Sequence, residues 1–396
     1  MRLAITGYGV ASPFGVGRAS WEAALAKGEA ARALAFRGRS EVLEGELGEH
    51  ARTAEVWGFD PNEHLGDKGH RAFDRLTKLL IAAAKPALAD SGLKRDGAFV
   101  EGGPDASSIG ICSATAYGSL DAITELNRVA ELEDPRYINP QRFPNTVINA
   151  AAGYVSIWED LRAPNVTVVD GNCSALDAVL AAATHLAHRR AKAFLVGGGE
   201  IVSEPLYLAL RRLGVLADGR TDGRTDGGVE MGEGACYFAM ERVEDAKARG
   251  ARVLAEVIGY GTAFEPPRSE ALLVHASADA VARAVRDALA EAKVDPREVD
   301  VVASSAGGLG DVDGAEAAGL RAVLGDVPQV PVKRLTGETF GVSGAFALAH
   351  VLAWFGGAPV APSPSNGVNP PAKVGTAVIT SVGFYGNASA IVVRAA

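Results

Sequence analysis

A chain of 396 residues is longer than one hydrophobic core usually serves, so two domains or two fused halves are expected. With 48% hydrophobic residues, 22% charged residues and a formal net charge of −9, it reads as a soluble α/β protein, and the lack of a basic block argues against nucleic acid as a partner. Three cysteines (Cys112, Cys173, Cys236) without CxxC or metal-ligand spacing exclude a disulfide framework and a metal site, and no apolar run reaches the roughly 18 to 20 residues that span a bilayer.

The N-terminus, Met1-Arg-Leu-Ala-Ile-Thr-Gly-Tyr-Gly9, enters a strand and a glycine turn directly, without the layout of a signal peptide, so a cytoplasmic location is expected. Gly7-x-Gly9 after a strand invites a dinucleotide reading. Ser12 stands at the third glycine's place, however, Pro13 interrupts the helix, and no acidic residue closes a second strand at the usual distance. No cofactor is expected. Residues 37–70 and 127–147 are charged and mixed, and read as surface insertions with a possible interface role. Between them lie the helical pattern Leu76–Ala89 and the apolar strand Ile109–Ala114.

Pro164-Asn-Val-Thr-Val-Val-Asp-Gly-Asn172-Cys-Ser-Ala-Leu-Asp-Ala178 reads as a strand, a tight Asp-Gly turn and a helix opening with small residues. Such an elbow lifts one side chain to the rim of a sheet and aims free backbone N–H groups at it, which suits a thiolate and an acyl oxyanion. Asn172 holds that position, and Cys173 follows one residue later. At a helix start one residue turns the side chain by about 100°, so Cys173 is expected to face packing rather than the rim. The tandem repeat Asp218–Asp226 carries three aspartates without EF-hand spacing, and is expected to be a solvated loop.

From residue 253 the pattern repeats. Val253–Gly261 echoes Arg2–Gly9, each ending in Gly-Tyr-Gly. Val299–Ser304 echoes Ile109–Ala114, Val330–Gly337 echoes the elbow, and Thr376–Gly383 echoes Ala193–Gly199. Alanine-rich helical segments, Leu176–Arg190 and Ala278–Ala292 among them, separate these strands. Two similar α/β halves, about 1–245 and 246–396, are therefore expected to pack back to back. The seven histidines (His50, His64, His70, His185, His188, His275, His350) fall in charged loops or helical segments, and none lies on a glycine-rich strand end.

The duplicated halves, the elbow and four stretches together resemble a β-ketoacyl synthase of the thiolase fold. The stretches are Ala4–Gly15, Gly232–Ala235 with Glu241–Gly250, Val332–Gly337 and Gly383–Val392. The resemblance implies a five-layered αβαβα arrangement and, in active members, a cysteine that carries the acyl chain as a thioester, with two histidines that assist decarboxylation of malonyl-carrier protein. Matched without gaps, the cysteine's place falls on Asn172, the first histidine's on Ser305 and the second's on Asn387. A further histidine after Thr-Gly is replaced by Glu338. Lys333 and Glu316 match the pattern, as does Phe384, whose backbone N–H would serve the oxyanion hole.

A chain that keeps the scaffold but lacks these groups resembles the chain-length factors of type II polyketide systems. Those pair as heterodimers with an active ketosynthase and work with acyl-carrier protein. In them the nucleophile's position carries a carboxamide, usually Gln. The resemblance implies that the chain shapes an acyl tunnel, with Tyr117, Phe143 and Ile148 as candidate lining residues. The competing expectation is an active synthase that uses Cys173 as its acyl-accepting nucleophile.

Overall fold

The computed structural model describes residues 2–217, 227–269, 272 and 274–396. Ten strands form its main sheet path: β1 (Leu3–Ser12), β2 (Ile109–Ala114), β3 (Asn165–Val168), β4 (Ala193–Glu200), β5 (Gly234–Arg242), β6 (Ala255–Phe264), β7 (Val301–Ser304), β8 (Gln329–Pro331), β9 (Thr376–Val382) and β10 (Asn387–Ala395). Their spatial order is β8-β7-β9-β10-β6-β1-β5-β4-β2-β3. Read outward from the β1/β6 seam, each half has its first, fifth, fourth, second and third strand in that sequence. Pairing also matches: antiparallel from first to fifth and fifth to fourth, parallel from fourth to second and second to third. The four sequence echoes occupy equivalent strands, so the repeat is topological as well as local.

The Gly-Tyr-Gly echo has a steric origin. A Cβ on Gly7 would lie 2.2 Å from Ser91 N, and one on Gly9 would lie 2.2 Å from Ala83 O. On the other half, a Cβ on Gly259 would lie 2.1 Å from Ala288 O and one on Gly261 2.1 Å from Ala284 O. These glycines let an outer helix press its backbone onto the strand. Each half also carries a β-bulge at the residue just before the motif, Thr6 in β1 and Ile258 in β6. The bulge adds local twist where the helix crosses. Between the glycines, the hydroxyls of Tyr8 and Tyr260 donate to Glu22 (2.9 Å) and Asp177 (2.7 Å).

The helices that build the layers are α1 (Arg75–Asp90), α2 (Ala150–Trp158), α3 (Ser174–Ala187), α4 (Ala278–Ala292), α5 (Gly310–Leu324) and α6 (Ser343–Phe355). Strand residues alternate between cores: Phe194 and Val196 of β4 join the central core, while Ala193 and Leu195 face the outer one with α1. The central core holds α3 and α6 between the two halves of the sheet, and α6 is buried from Ser343 to Trp354, as a helix apolar all round must be. On the far faces lie α1 and α2 over one half of the sheet, and α4 and α5 over the other. The result is the αβαβα stack that the resemblance implied.

One expectation needs adjustment. Residues 37–70 are not a detached surface insertion. Leu43, Ala51, Ala54 and Val56 are buried, and the fully buried Glu55 accepts from Thr53 Oγ1 (2.7 Å) and the Glu41 N–H (2.8 Å), with Ser40 Oγ as a further donor. Most charged side chains of this stretch are exposed, while Glu55 serves an internal hydrogen-bond network. The Asp218–Asp226 repeat lies outside the described residues. Among the described residues, no helix is long and apolar enough to cross a membrane.

Candidate functional site

The elbow forms as its residues dictate. After β3, Gly171 adopts φ +53°, a left-handed turn that glycine takes without strain. Ser174 ties the turn: its Oγ accepts from the Asp170 N–H and donates to Gly171 O, both at 2.7 Å. α3 then starts at Ser174 with no side-chain cap. Asn172 sits at the apex, 3% exposed, and its Nδ2 has no hydrogen-bond partner among the described residues. Its neighbour points the other way. Cys173 is fully buried in the central core, and its Sγ donates to Ser381 O at 3.4 Å. Burial pushes the thiol pKa upward, with the nearby Asp177 and Asp170 adding to the shift, so the thiolate is disfavoured.

Asn387, at the start of β10, closes over the elbow and donates from Nδ2 to Asp170 O at 3.2 Å, while its Oδ1 is buried without a partner among the described residues. The structure thus brings Asn172 and Asn387 to the same turn. Four of the other matched positions, Ser305, Glu316, Lys333 and Glu338, form a connected group. Lys333 Nζ donates to Glu338 Oε2 (2.7 Å) and to Ser305 Oγ (3.2 Å), and Ser305 Oγ also accepts from the Val382 N–H (3.2 Å). Glu316 accepts from the Ser305 N–H (2.7 Å) and from Thr380 Oγ1 (2.6 Å). Burial raises the Glu316 pKa to about 7, against the pull of those two hydrogen bonds.

The chemistry available to this group is limited. The Lys333 ammonium and the Glu338 carboxylate are 5% and 2% exposed and neutralise each other. Ser305 is pinned by two donors into its oxygen. Phe384 closes the group, and the void among Ser305, Lys333, Glu338, Val382 and Phe384 is only about 10 Å³, the room of one water. The residues offered for a tunnel differ in exposure. Tyr117 packs edge-on against Phe340 at 5.3 Å, Ile148 is half-buried, and Phe143 is 63% exposed on the Pro140–Thr146 turn, where an apolar ring faces solvent.

Sequence reasoning missed two features. Lys333 and Glu338 are five residues apart across a glycine turn, and only the φ of +75° at Gly337 brings them together. His275 was expected to be remote, yet it docks on the tail loop. Its N–H donates to Phe384 O (2.8 Å), and its Nε2 is buried without a partner among the described residues. No residue pattern around it signals this.

Residues 1–246 match the family model "Beta-ketoacyl synthase, N-terminal domain", and residues 254–364 match "Beta-ketoacyl synthase, C-terminal domain". A 3-oxoacyl-[acyl-carrier-protein] synthase 2 from Coxiella burnetii is 29% identical over 87% of this chain and 83% of its own length. A putative polyketide beta-ketoacyl synthase 2 from Streptomyces coelicolor is 30% identical over 99% of this chain and 95% of its own. Among solved structures, the ishigamide ketosynthase/chain length factor superposes with a TM-score of 0.84 at 25% identity, covering 100% of this chain and 99% of that one. A ketosynthase in complex with its chain length factor from Xenorhabdus doucetiae shares the fold, with a TM-score of 0.77 at 16% identity over 100% and 98% of the two chains. With both halves of the fold matched in order, the chain belongs to the beta-ketoacyl synthase family.

Proposed function

We propose that this chain is a non-catalytic partner in acyl-chain elongation, a chain-length factor that pairs with an active ketosynthase and shapes its acyl tunnel in a polyketide or fatty acyl pathway. The observation that carries the reading is Asn172, a buried carboxamide at the apex of the elbow. An amide nitrogen has its lone pair delocalised and forms no acyl thioester, so the first step of a condensing enzyme is lost at its own position. Ser305 and Asn387 hold no imidazole, and Lys333 is occupied by Glu338. The burial of Cys173 and its raised pKa argue against the competing nucleophile.

The pairing surface has physical support. β3 ends the sheet path with an open edge, and Phe143, Val147, Ile157 and Val169 expose apolar side chains from neighbouring segments. An open strand edge beside apolar side chains is a surface that favours a partner. Acyl-carrier protein is the second expected partner, through the ketosynthase it serves.

The test is co-expression with a ketosynthase that bears an intact Cys-His-His set. Native mass spectrometry is expected to show a 1:1 complex, and an acylating probe is expected to label the partner cysteine and leave this chain's mass unchanged. Bulky substitutions at Tyr117 or Ile148 are expected to shorten the product. A stable homodimer that ignores such ketosynthases, or an adduct on Cys173 that Cys173→Ser removes, overturns the proposal.

A further inference from the structure

A cavity of about 580 Å³ is lined by Arg32, Gly228 and Glu230 of the N-terminal half and by the ends of β7 and β8 and α5 of the C-terminal half. It is separate from the small void beneath Phe384, and the two share the wall formed by Gly307, Asp313, Lys333 and Glu338. Its size lies within the range of small-molecule sites, and several charged side chains contribute to its lining.

The floor comes from strand residues that α5 leaves uncovered. Ser304, the last residue of β7, is 2% exposed, and its Oγ has no hydrogen-bond partner among the described residues. On the neighbouring β8, Gln329 stands in register with Val302 and also lines the cavity. A buried hydroxyl in a folded protein is nearly always satisfied, so the unsatisfied Ser304 on the cavity floor marks a group that awaits a ligand or ordered water.

The charges around the cavity divide by position. Glu230 pairs with Arg32 and Arg52, and Glu338 pairs with Lys333. Asp313 accepts from the Gly307 (3.0 Å) and Gly308 (2.8 Å) N–H groups and keeps lone pairs to spare, as does Glu316 on the same wall. Arg321 and Arg334, both exposed, have no ion pair among the described residues. Two guanidinium groups on the rim favour a phosphate or carboxylate head, because their forked donors match its oxygens. Carboxylates, a hydroxyl and a carboxamide further in favour a body that donates and accepts hydrogen bonds.

We infer that this cavity is a binding site for a small phosphorylated polyol, with the phosphate on Arg321 and Arg334 and the hydroxylated body over Ser304, Gln329 and Asp313. Its wall carries the Lys333–Glu338 pair, so occupancy is felt by the group that holds Ser305. The inference stands independently of the partner role proposed above.

The test uses the full chain at fixed ionic strength, titrated calorimetrically with ribose 5-phosphate, inorganic phosphate and ribose. Ribose 5-phosphate is expected to bind at 1:1, at least tenfold more tightly than inorganic phosphate, with no measurable binding of ribose. The double variant R321Q/R334Q, altered only at exposed side chains, is expected to lose at least tenfold in affinity. Ser304→Ala is expected to lose severalfold, and Asn172→Ala to bind as the parent does. Absence of saturable binding in the millimolar range overturns the inference, as does full retention in R321Q/R334Q or equal binding of inorganic phosphate.

Discussion

The two halves of this molecule repeat a backbone device and diverge in what they hang on it. In the N-terminal half, Gly171 at φ +53° is followed by Asn172. In the C-terminal half, Gly337 at φ +75° is followed by Glu338. Each positive-φ glycine precedes a buried polar side chain at a position matched to the family site. Asn172 arrives with an unpartnered donor, whereas Glu338 arrives fully engaged by Lys333 (2.7 Å) and the Phe340 N–H (2.8 Å). The glycines are dictated by sterics and stay the same. The side chains after them answer to chemistry, and these are the ones that differ from the condensing pattern.

The most severe way to break this comparison is to fill the helix–strand contacts. Gly9→Ala and Gly261→Ala each drive a Cβ to within about 2.2 Å of a helix carbonyl oxygen, a distance neither backbone can accept in place. Each substitution is expected to remove more than about 5 kcal/mol or to abolish soluble expression, judged by urea unfolding. Similar losses at both sites sharpen the duplication argument. A harmless Gly261→Ala breaks it, because the C-terminal contact would then be less tight than its counterpart.

Next in size is the buried ion pair that stands where the family carries imidazole chemistry. Lys333→Met alone leaves the Glu338 charge buried, and Glu338→Leu alone leaves the Lys333 ammonium buried. Either is expected to destabilise by about 4 kcal/mol. The double variant removes both charges and is expected to recover most of that loss. A double-mutant cycle by thermal unfolding measures it, and additive losses would mean that the pair is hydrated.

These two predictions differ in how far the sequence announced them. The strand echoes, the elbow and the layer order were legible because glycine spacing and apolar alternation act over a few residues and leave a periodic trace. The matched positions Asn172, Ser305 and Asn387 were legible through fixed spacing from Leu176-Asp177-Ala178, from Asp313-Gly-Ala-Glu316 and within the glycine tail. The Lys333–Glu338 pair was not, since it depends on one backbone angle at Gly337. Nor was the burial of Thr53–Val56, because Glu55 is solvated by groups distant in pattern if near in number. His275 reaches the tail loop through tertiary packing alone.

Both halves also bury a carboxylate with a raised pKa and no ion pair among the described residues, and the comparison extends to pH. Burial raises Glu200 in the N-terminal half and Glu316 in the C-terminal half to about 7. Glu200 accepts from the Ala116 (2.7 Å), Tyr117 (3.1 Å) and Gly341 (3.3 Å) N–H groups, while Glu316 accepts from the Ser305 N–H and Thr380. For each, the folded state binds a proton that the unfolded state releases nearer 4.5. The stability it contributes is therefore full below about pH 4.5 and declines as pH rises through about 7. Glu316→Gln keeps the accepting oxygen and is expected to flatten that decline by roughly 3 kcal/mol across the window. Urea midpoints from pH 5 to 8 measure it, and an unchanged slope would show that Glu316 is ionised throughout.

The smallest expected effect falls at the residue on which the functional reading rests. Asn172 Nδ2 is buried with no partner, so truncation removes an unsatisfied donor along with a little packing. The two changes oppose each other, and Asn172→Ala is expected to shift stability by no more than about 1 kcal/mol. Asn172→Asp keeps the shape but buries a charge beside Asp170, and is expected to be clearly worse. Thermal midpoints of the two variants decide the matter. A large loss in Asn172→Ala would mean that the carboxamide holds the elbow together, as Glu338 does in the other half. Near-neutrality would mean that the amide is free for a group brought by a partner or a substrate, which is the asymmetry between the two glycine turns expressed as an energy.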